Sequence, residues 1–453
     1  MQFKHSGKSR KFLILTVLLS VFFQAFAFSA QSDINTTQSA QDLFSNFADR
    51  LFQVRTIDRA SGSKASIGSA FAVSASGVLA TNYHVVSKYV IDPEKYRIEV
   101  LTSTDDILPI SVVNIDVIND LALVKLDTFE LPVLSLADTS PTKGEQIYSL
   151  GNPRDLGMTV VPGTFNGTTA HSYYDRILFS GSVNPGMSGG PVLNDKGEVV
   201  GVNVATSGNQ LSFLVPLVKL QQLMRSEPVK NLNFKQLART QLTNNQSQLM
   251  TELLSGNWKL SELGDATVPG EFTDFISCWG ESDQARDVKF SQVFKRCRNS
   301  EYIYIAPDFY TGIFEMEFYW YSTTELTNWQ FYRMLNDSFG SASAGNVSSE
   351  DHVTEFQCRD DFLKGKDKNT DALSVGQQST NDKTTQISDN NSEVSKVVYC
   401  VREYKNYPGL YDALYLSASL NLKQKSLVSH YTLSGVSQAN AESFLKRFME
   451  SVL

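Results

Sequence analysis

One eight-residue segment constrains this chain more than any other. It reads Asn-Pro-Gly-Met-Ser-Gly-Gly-Pro and runs from Asn184 to Pro191, with Ser188 set among glycines. Glycines allow a backbone to pass close to a reacting carbonyl because no side chain stands in the way. They also allow the amides of Gly186 and Ser188 to point at one position, as an oxyanion hole requires. The segment therefore predicts a nucleophilic serine on a glycine-rich turn.

A serine hydroxyl is a weak nucleophile, so an adjacent base and an acid that orients the base are required. His84 lies upstream in Ala-Thr-Asn-Tyr-His-Val-Val, and Asp120 in Asn-Asp-Leu-Ala-Leu-Val-Lys-Leu. The order His, Asp, Ser is one of those known for Ser-His-Asp triads. The sequence offers one alternative for the base and one for the acid. His171 lies in a polar segment that predicts an exposed side chain, and Asp116 precedes Asp120 by four residues.

Five segments in this order resemble trypsin-like peptidases of the HtrA/Deg type. They are Gly68–Val73, Thr81–Val86, Asp120–Lys125, Leu150–Pro153 and Gly186–Pro191. The resemblance covers roughly residues 40–225 and does not extend into the C-terminal half, where no PDZ domain is recognised. It implies a chymotrypsin-like double β-barrel and endoproteolysis of unfolded or partly unfolded proteins. The strand-like segment after Asp120 matches the family pattern, which selects Asp120 over Asp116 as the triad acid.

The resemblance also implies where the substrate side chain binds. Ser182, six residues before Ser188, takes the place of the base of the P1 pocket, and Ser212, Phe213 and Leu214 form its opposite wall. These residues carry no charge, so we expect a small or medium apolar P1 residue. Met187 departs from the asparagine that is usual in this type. It cannot pair with a new amino terminus, so activation through such an ion pair is not expected.

The amino terminus has the pattern of a secretory signal peptide. Four basic residues precede an apolar run that ends in Ala25-Phe26-Ala27, and cleavage after Ala27 is preferred over cleavage after Ala30. Removal of residues 1–27 changes the formal charge from −8 to −12. A mildly acidic surface does not favour nucleic acid or an anionic membrane as a partner. We expect an exported protein, most simply in a bacterial periplasm, with no membrane attachment after cleavage.

All four cysteines lie in the C-terminal half, at Cys278, Cys297, Cys358 and Cys400. An even number of cysteines in an exported chain predicts disulfides, and four cysteines allow three connectivities. Pairing of Cys278 with Cys297 and of Cys358 with Cys400 is favoured because each pair flanks a plausible local unit. Zinc is the weaker alternative, since no Cys-x-x-Cys spacing is present. No metal or organic cofactor is predicted.

The pattern of short apolar runs and turn residues predicts several units. After residues 28–38, expected to be disordered, residues 39–225 form an all-β protease domain that opens with an amphipathic helix over 39–52. That helix either caps its own barrel, which is favoured, or helps to build a homo-oligomer. Residues 226–255 are predicted as a linker with helical stretches. Residues 256–453 form a C-terminal α+β domain with a disordered loop at about 362–396. Its aromatic segment 302–321 is interpreted as strand and core.

Two functions from different classes remain. The first is an exported serine endopeptidase that acts through an acyl-enzyme on Ser188. The second is a catalytically silent module with a protease fold, whose C-terminal domain binds a partner. Met187 and the missing PDZ domain keep the second hypothesis open, and the intact set of triad residues favours the first.

Overall fold

The computed structural model describes residues 40–127, 130–206, 210–228, 233–283, 289–340, 344–346, 348–364, 394–420 and 422–452. The predicted signal peptide, the predicted disordered residues 28–38 and most of the predicted loop 362–396 lie outside these ranges. The two ends of that loop need correction, because residues 362–364 and 394–396 lie in paired strands.

The first half of the protease region is a closed antiparallel barrel in the order β1-β2-β3-β6-β5-β4. Its strands are β1 (Leu51–Asp58), β2 (Lys64–Ser74), β3 (Val78–Thr81), β4 (Tyr96–Leu101), β5 (Ile107–Asp116) and β6 (Leu121–Leu126). Strand β6 has apolar side chains on both of its faces. Its alternate residues Ala122 and Val124 face one core, whereas Leu121 and Leu123 face a second core shared with the next barrel.

The second half is another closed antiparallel barrel, in the order β10-β11-β12-β9-β8-β7. Its strands are β7 (Gln146–Gly151), β8 (Thr159–Thr168), β9 (Ile177–Phe179), β10 (Pro191–Leu193), β11 (Val199–Thr206) and β12 (Ser212–Pro216). Two six-stranded barrels of this kind confirm the predicted chymotrypsin-like double β-barrel. Ser188 lies on the turn that enters β10, and His84 and Asp120 lie near the ends of β3 and β6 that face it.

The helices around the barrels lie before, between and after the barrel strands. They are α1 (residues 40–47), α2 (Tyr83–Ile91), α3 (Leu217–Arg225) and α4 (Phe234–Ser255). In α1, Leu43 is buried in the core shared by the barrels and Phe47 packs beside it, so this helix covers its own chain. It ends before Leu51, where β1 begins, although the sequence predicted helix up to residue 52.

The predicted linker contains one long packed helix. Near its start, α4 contributes Phe234, Ala238 and Leu242 to the core of the first barrel. Further along, Leu249 and Leu253 enter the core of the C-terminal domain. Because residues spaced by four lie on one face of a helix, a single apolar stripe joins both cores. The helix therefore couples the two halves of the chain by packing.

The C-terminal domain is built on a seven-stranded antiparallel sheet in the order β15-β16-β19-β23-β22-β21-β20, which confirms an additional β-rich domain. Its strands are β13 (Leu260–Leu263), β14 (Ala266–Pro269), β15 (Ser277–Asp283), β16 (Ser291–Arg298), β17 (Ile303–Ala306), β18 (Phe309–Thr311), β19 (Phe314–Ser322), β20 (Gln357–Lys364), β21 (Val394–Glu403), β22 (Tyr411–Leu420) and β23 (Lys425–Val436). Helix α5 spans Asn328–Gly340, and helix α6, spanning Gln438–Val452, packs on the sheet. None of the described helices is long and apolar enough to cross a membrane.

The cysteines pair across neighbouring strands. Cys278 is bonded to Cys297 and Cys358 to Cys400, which are the pairs favoured in the sequence analysis. Each pair lies directly opposite in its ladder, with Cα atoms 4.0 Å apart. One disulfide joins the edge strand β15 to β16, and the other joins the opposite edge strand β20 to β21. Both edges of the sheet are thus linked covalently to their neighbours.

Candidate active site

His84 and Asp120 are held together by two hydrogen bonds. The Nδ1 atom of His84 lies 2.6 Å from Oδ2 of Asp120, and the backbone N–H of His84 donates to Oδ1 of the same carboxylate at 2.9 Å. The Asp120 carbonyl accepts from the Asn82 side-chain amide at 2.7 Å. Asp120 has a φ of 60°, an uncommon backbone conformation for a residue with a side chain. These bonds hold it in that conformation and fix the orientation of the imidazole ring.

The two alternative triad residues, Asp116 and His171, have other hydrogen-bond partners. Asp116 uses its carboxylate to accept from the backbone N–H groups of Ile118 and Asn119 at 3.1 and 3.0 Å, which organises its own loop. His171 is exposed, and its Nδ1 lies 3.1 Å from the Asp274 carbonyl. Of the two carboxylates considered from the sequence, the one that contacts His84 is Asp120.

The turn before Ser188 has the geometry of a type II β-turn. The Met187 N–H donates to the Asn184 carbonyl at 2.9 Å, Pro185 occupies the second position, and Gly186 in the third has a φ of +98°. Type II turns favour proline and glycine at those two positions because the third residue needs positive φ. The local sequence Asn-Pro-Gly-Met therefore encodes this turn directly.

The orientation of the Gly186 amide is fixed from outside the turn. The Pro185 carbonyl accepts from the Arg154 N–H at 2.8 Å, so the Gly186 N–H of the same planar peptide points the opposite way. The Met187 carbonyl likewise accepts from Gly190 N–H at 3.0 Å, which directs the Ser188 N–H away from it. Within the described residues neither of these two amides donates a hydrogen bond. Both therefore lack a protein acceptor in that part of the chain, as the predicted oxyanion hole requires.

Two glycines of this segment are required by close packing. A Cβ atom added to Gly186 would lie 2.4 Å from the Asn152 carbonyl oxygen. One added to Gly189, whose φ is +84°, would lie 2.3 Å from the Ser69 carbonyl oxygen. Other residue types would clash with backbone in both places and would also be strained at positive φ. Gly189 thus allows the serine turn to lie against β2 of the first barrel, and Gly186 allows it to lie against the segment that follows β7.

The Ser188 hydroxyl is half-buried and donates to the Val204 carbonyl at 3.4 Å. In the described part of the chain no hydrogen bond joins it to His84. The Ser188 carbonyl accepts from Ser69 N–H at 2.7 Å, which anchors the backbone of the nucleophile to the first barrel.

The charge state of His84 is set by two opposing effects. Burial lowers the pKa of the imidazole, because the charged form loses hydration. The negative charge of Asp120 and its hydrogen bond to the ring raise that pKa, and they prevail, so the pKa of His84 lies above its usual value. The imidazolium formed when His84 accepts a proton is therefore stabilised by Asp120.

A cavity of about 630 Å³ opens beside His84 and Asp120. Its protease-domain wall includes Val204, Leu178 and Phe213. Its other wall comes from the C-terminal domain, through Tyr302, Tyr304, Tyr310 and Glu301. The Tyr304 ring lies edge-on to the His84 ring, with centroids 5.8 Å apart. The cavity is thus formed between the two halves of the chain.

The predicted pocket residues have different environments. Phe213 is half-buried and lines this cavity, and Ser182 is exposed outside the set of lining residues. Ser212 is buried, accepts from the Val183 N–H at 3.0 Å and donates to the Gly181 carbonyl at 2.8 Å. Leu214 is fully buried in the core of the second barrel, on the opposite face of β12 from Phe213. Met187 is buried in that same core.

Several residues at the site were not singled out in the sequence analysis. Arg176 and Glu301 lie in the cavity wall, and Ser172 donates to Glu301 at 2.5 Å. The tyrosines were interpreted as strand and core, but Tyr302 is 57% exposed. The alternation Tyr-Ile-Tyr-Ile over residues 302–305 was the available signal, since it directs the tyrosines and the isoleucines to opposite faces.

Comparison with known proteins identifies the barrel region. Residues 68–202 match the family model described as a trypsin-like peptidase domain. Serine protease HTRA1B of Danio rerio is 34% identical over 169 residues, which cover 35% of this chain and 34% of that protein. A probable periplasmic serine endoprotease of the DegP-like type from Chlamydia pneumoniae is 33% identical over 168 residues, covering 35% and 33%. The crystal structure of the serine endoprotease from Yersinia pestis is similar at 26% identity with a TM-score of 0.37, covering 41% of this chain and 65% of that one. The chain spans about a third of the length of these two curated relatives.

Proposed function

Residues 68–202 are a trypsin-like peptidase domain of the HtrA type, and from this premise we propose that the chain is an exported serine endopeptidase. Its substrates are unfolded or partly unfolded proteins. The proposal depends above all on one observation. Asp120 orients His84 through hydrogen bonds of 2.6 and 2.9 Å next to a serine turn, and the Gly186 and Ser188 amides of that turn donate to no acceptor among the described residues.

In the proposed mechanism the three triad residues and two backbone amides act in sequence. Ser188 attacks the scissile carbonyl, and His84 takes the hydroxyl proton as the new C–O bond forms. The amides of Gly186 and Ser188 stabilise the resulting oxyanion. His84 then gives its proton to the leaving amine, the C–N bond breaks, and an acyl-enzyme remains on Ser188. His84 then deprotonates a water molecule that attacks the ester, and it returns this proton to the Ser188 oxygen as the bond between that oxygen and the acyl group breaks. The carboxylate of Asp120 stabilises the imidazolium whenever His84 carries the transferred proton.

The proposed P1 preference is for small or medium apolar residues. Phe213 supplies an apolar wall, and neither it nor Ser182 offers a charge to a basic side chain. Burying an unpaired charge against such walls is costly, so cuts after Lys or Arg should be rare. Peptide mapping of a digested, reduced and alkylated protein tests this preference. Ser182→Asp should move some cleavage towards basic residues if Ser182 contacts the P1 side chain, and an unchanged map would remove it from the pocket.

We also propose that the chain acts in the periplasm after signal cleavage at Ala27. The relative from Chlamydia pneumoniae is named as probably periplasmic, and both disulfides fit an oxidising compartment. Intact mass of the protein purified from a periplasmic extract should correspond to a chain that begins at Phe28. A chain that retains residues 1–27, or one found only in the cytoplasm, contradicts this assignment. Light scattering on the same sample decides between a monomer and a homo-oligomer.

The alternative function is a silent module that binds a partner through its C-terminal domain. It is favoured by the Ser188 hydroxyl, which donates to Val204 and not to His84 among the described residues. The deciding experiment is labelling with a fluorophosphonate probe together with digestion of an unfolded protein. Wild type and Ser140→Ala, an exposed serine, should label and digest, whereas Ser188→Ala should do neither. Absence of both activities in the wild type favours the silent module.

A further inference from the structure

We propose that the C-terminal domain completes the substrate cleft with an aromatic subsite formed by Tyr302, Tyr304 and Tyr310. This subsite takes an apolar side chain, preferably an aromatic one, from a substrate residue next to P1. The inference rests on the proposed function, since it names part of the substrate that the same active site selects. It gives a role to the domain that lies outside the matched peptidase region, residues 68–202.

The hairpin that carries the subsite is fixed to the first barrel by buried contacts. The hairpin β17–β18 inserts Ile303, Ile305 and Phe309 into the core of the first barrel, where each is buried. The Tyr83 hydroxyl, at the start of α2, donates to the Ile305 carbonyl at 3.2 Å. A hairpin fixed by buried apolar side chains on the helix that carries His84 holds its tyrosines in place relative to the catalytic histidine.

The tyrosines of the hairpin lie on the face that lines the cavity. Strand alternation directs Tyr302 and Tyr304 to the face opposite Ile303 and Ile305, and Tyr310 is the cross-strand partner of Tyr304. Tyr310 packs edge-to-face with both other rings, with centroids 4.7 Å from Tyr302 and 5.7 Å from Tyr304. The three rings thus form one continuous aromatic surface that lines the cavity beside His84.

The lining of the cavity suits an apolar occupant. The cavity that the tyrosines line is also lined by Leu178, Val204 and Phe213 of the second barrel. The charged residues of its lining are Arg176 and Glu301, which have opposite signs, and Asp120, whose carboxylate is hydrogen-bonded to His84. Tyr302 remains 57% exposed although its ring could gain further apolar contact. An apolar side chain of an extended polypeptide would cover this ring and fill the space between the two walls.

The occupant should lie next to P1, because the tyrosines line the same cavity as His84 and Phe213. Val204, whose carbonyl accepts the Ser188 hydroxyl, and His84 both line the same cavity. Phe213, the wall assigned to P1, lies in it as well, so the tyrosine surface is reached by a residue adjoining P1. The location is therefore part of the cleft and not a separate binding site.

The experiment uses the full chain and peptide libraries with valine fixed at P1. The positions on both sides of P1 are varied among Ala, Leu, Phe, Lys and Glu, and kcat/KM is measured for each peptide. The wild type should prefer Phe or Leu over Ala at one of these positions by about tenfold, the usual scale for an apolar pocket. Tyr302→Ala combined with Tyr310→Ala should reduce that preference to about twofold or less. Trp329→Ala, which removes an exposed aromatic ring from α5, should leave it intact.

The outcomes separate this inference from the proposed function. Labelling of Ser188 by a fluorophosphonate counts the active sites in each variant, so the kinetics can be corrected for misfolded protein. Normal labelling with no preference at either position, or a preference that persists in the double variant, overturns the subsite. A wild type that neither labels nor cleaves overturns the proposed function instead. Replacement of both tyrosines by Phe should preserve the preference, because the ring and not the hydroxyl makes the contact.

Discussion

Tyr304, from the C-terminal domain, packs the edge of its ring against the ring of His84. The centroids are 5.8 Å apart, the planes are inclined by 70°, and the Tyr304 hydroxyl lies 3.3 Å from Oγ of Ser87, one turn further along α2. Asp120 restrains the Nδ1 side of the imidazole through its hydrogen bond. His84 is therefore contacted by groups from both halves of the chain, and the second domain forms part of the surroundings of the candidate active site.

This contact predicts different effects for two substitutions of Tyr304. Tyr304→Phe keeps the ring and should change the rate of fluorophosphonate labelling by less than about threefold. Tyr304→Ala removes the ring and lets the imidazole move, and displacements of about 1 Å can cost about a hundredfold in rate. We expect a loss between tenfold and a hundredfold. Equal labelling by the Ala variant and the wild type would show that the ring does not position His84.

Asp120→Asn should abolish most of the activity without unfolding the protein. The amide can still accept a hydrogen bond, but it cannot stabilise the imidazolium, and the equivalent change in a serine protease triad lowers kcat by about 10⁴. The matched control is Asp116→Asn. Its side-chain oxygen can still accept from the loop N–H groups, so activity should stay within about threefold. Thermal unfolding of both variants checks the fold. Comparable losses in the two variants would contradict the assignment of Asp120.

The rate of acylation should rise with pH through a midpoint above 6.5. Asp120 raises the pKa of His84 by more than burial lowers it. Only the neutral imidazole can accept the serine proton. The active fraction therefore falls as pH decreases through this raised pKa. The pH profile of kcat/KM for a neutral peptide measures it. In Asp120→Asn the midpoint should move to lower pH. A wild-type midpoint below 6.5 would mean that burial outweighs Asp120.

Local motifs explain why much of the candidate site could be predicted. Asn184-Pro185-Gly186-Met187 encodes its own turn, and the β6 pattern after Asp120 lies in a strand as expected. Helix α2 was not predicted, because the apolar run after His84 is short and follows a strand directly. Strand β1 was partly assigned to the preceding helix, since both elements share apolar residues near Leu51.

The contribution of the C-terminal domain could not be predicted from local patterns. Ser87 and Tyr304 are separated by 217 residues of chain, and no periodicity near either one specifies the other. Helix α4 was interpreted as part of a linker because its sequence is rich in Gln and Asn. Its few apolar residues are nevertheless enough to reach both cores. The docking of two domains depends on such long-range packing, which composition does not reveal.

The edge disulfide between β20 and β21 should stabilise the C-terminal domain. Cys358 and Cys400 are 42 residues apart, and a crosslink over that distance lowers the entropy of the unfolded chain by an amount worth about 3–4 kcal/mol in the chain-entropy model. Replacing both cysteines by serine should reduce the free energy of unfolding by that order in denaturant titrations. Non-reducing peptide mapping of the wild type must first find Cys358 linked to Cys400. An unchanged midpoint in the double variant would contradict the prediction.

Ile305→Ala tests whether the two domains unfold together. Its side chain is 1% exposed and packs in the core of the first barrel, although it belongs to the C-terminal half. Removing a buried isoleucine costs about 2–5 kcal/mol because apolar contact is lost and a cavity is left. The control is Ile107→Ala, a 58% exposed isoleucine, for which we expect less than about 0.5 kcal/mol. If the shared core couples the domains, calorimetry should give one unfolding transition in the wild type. Ile305→Ala should lower the midpoint temperature of that single transition. Two independent transitions, with only the C-terminal one affected, would show that the barrels do not depend on this packing.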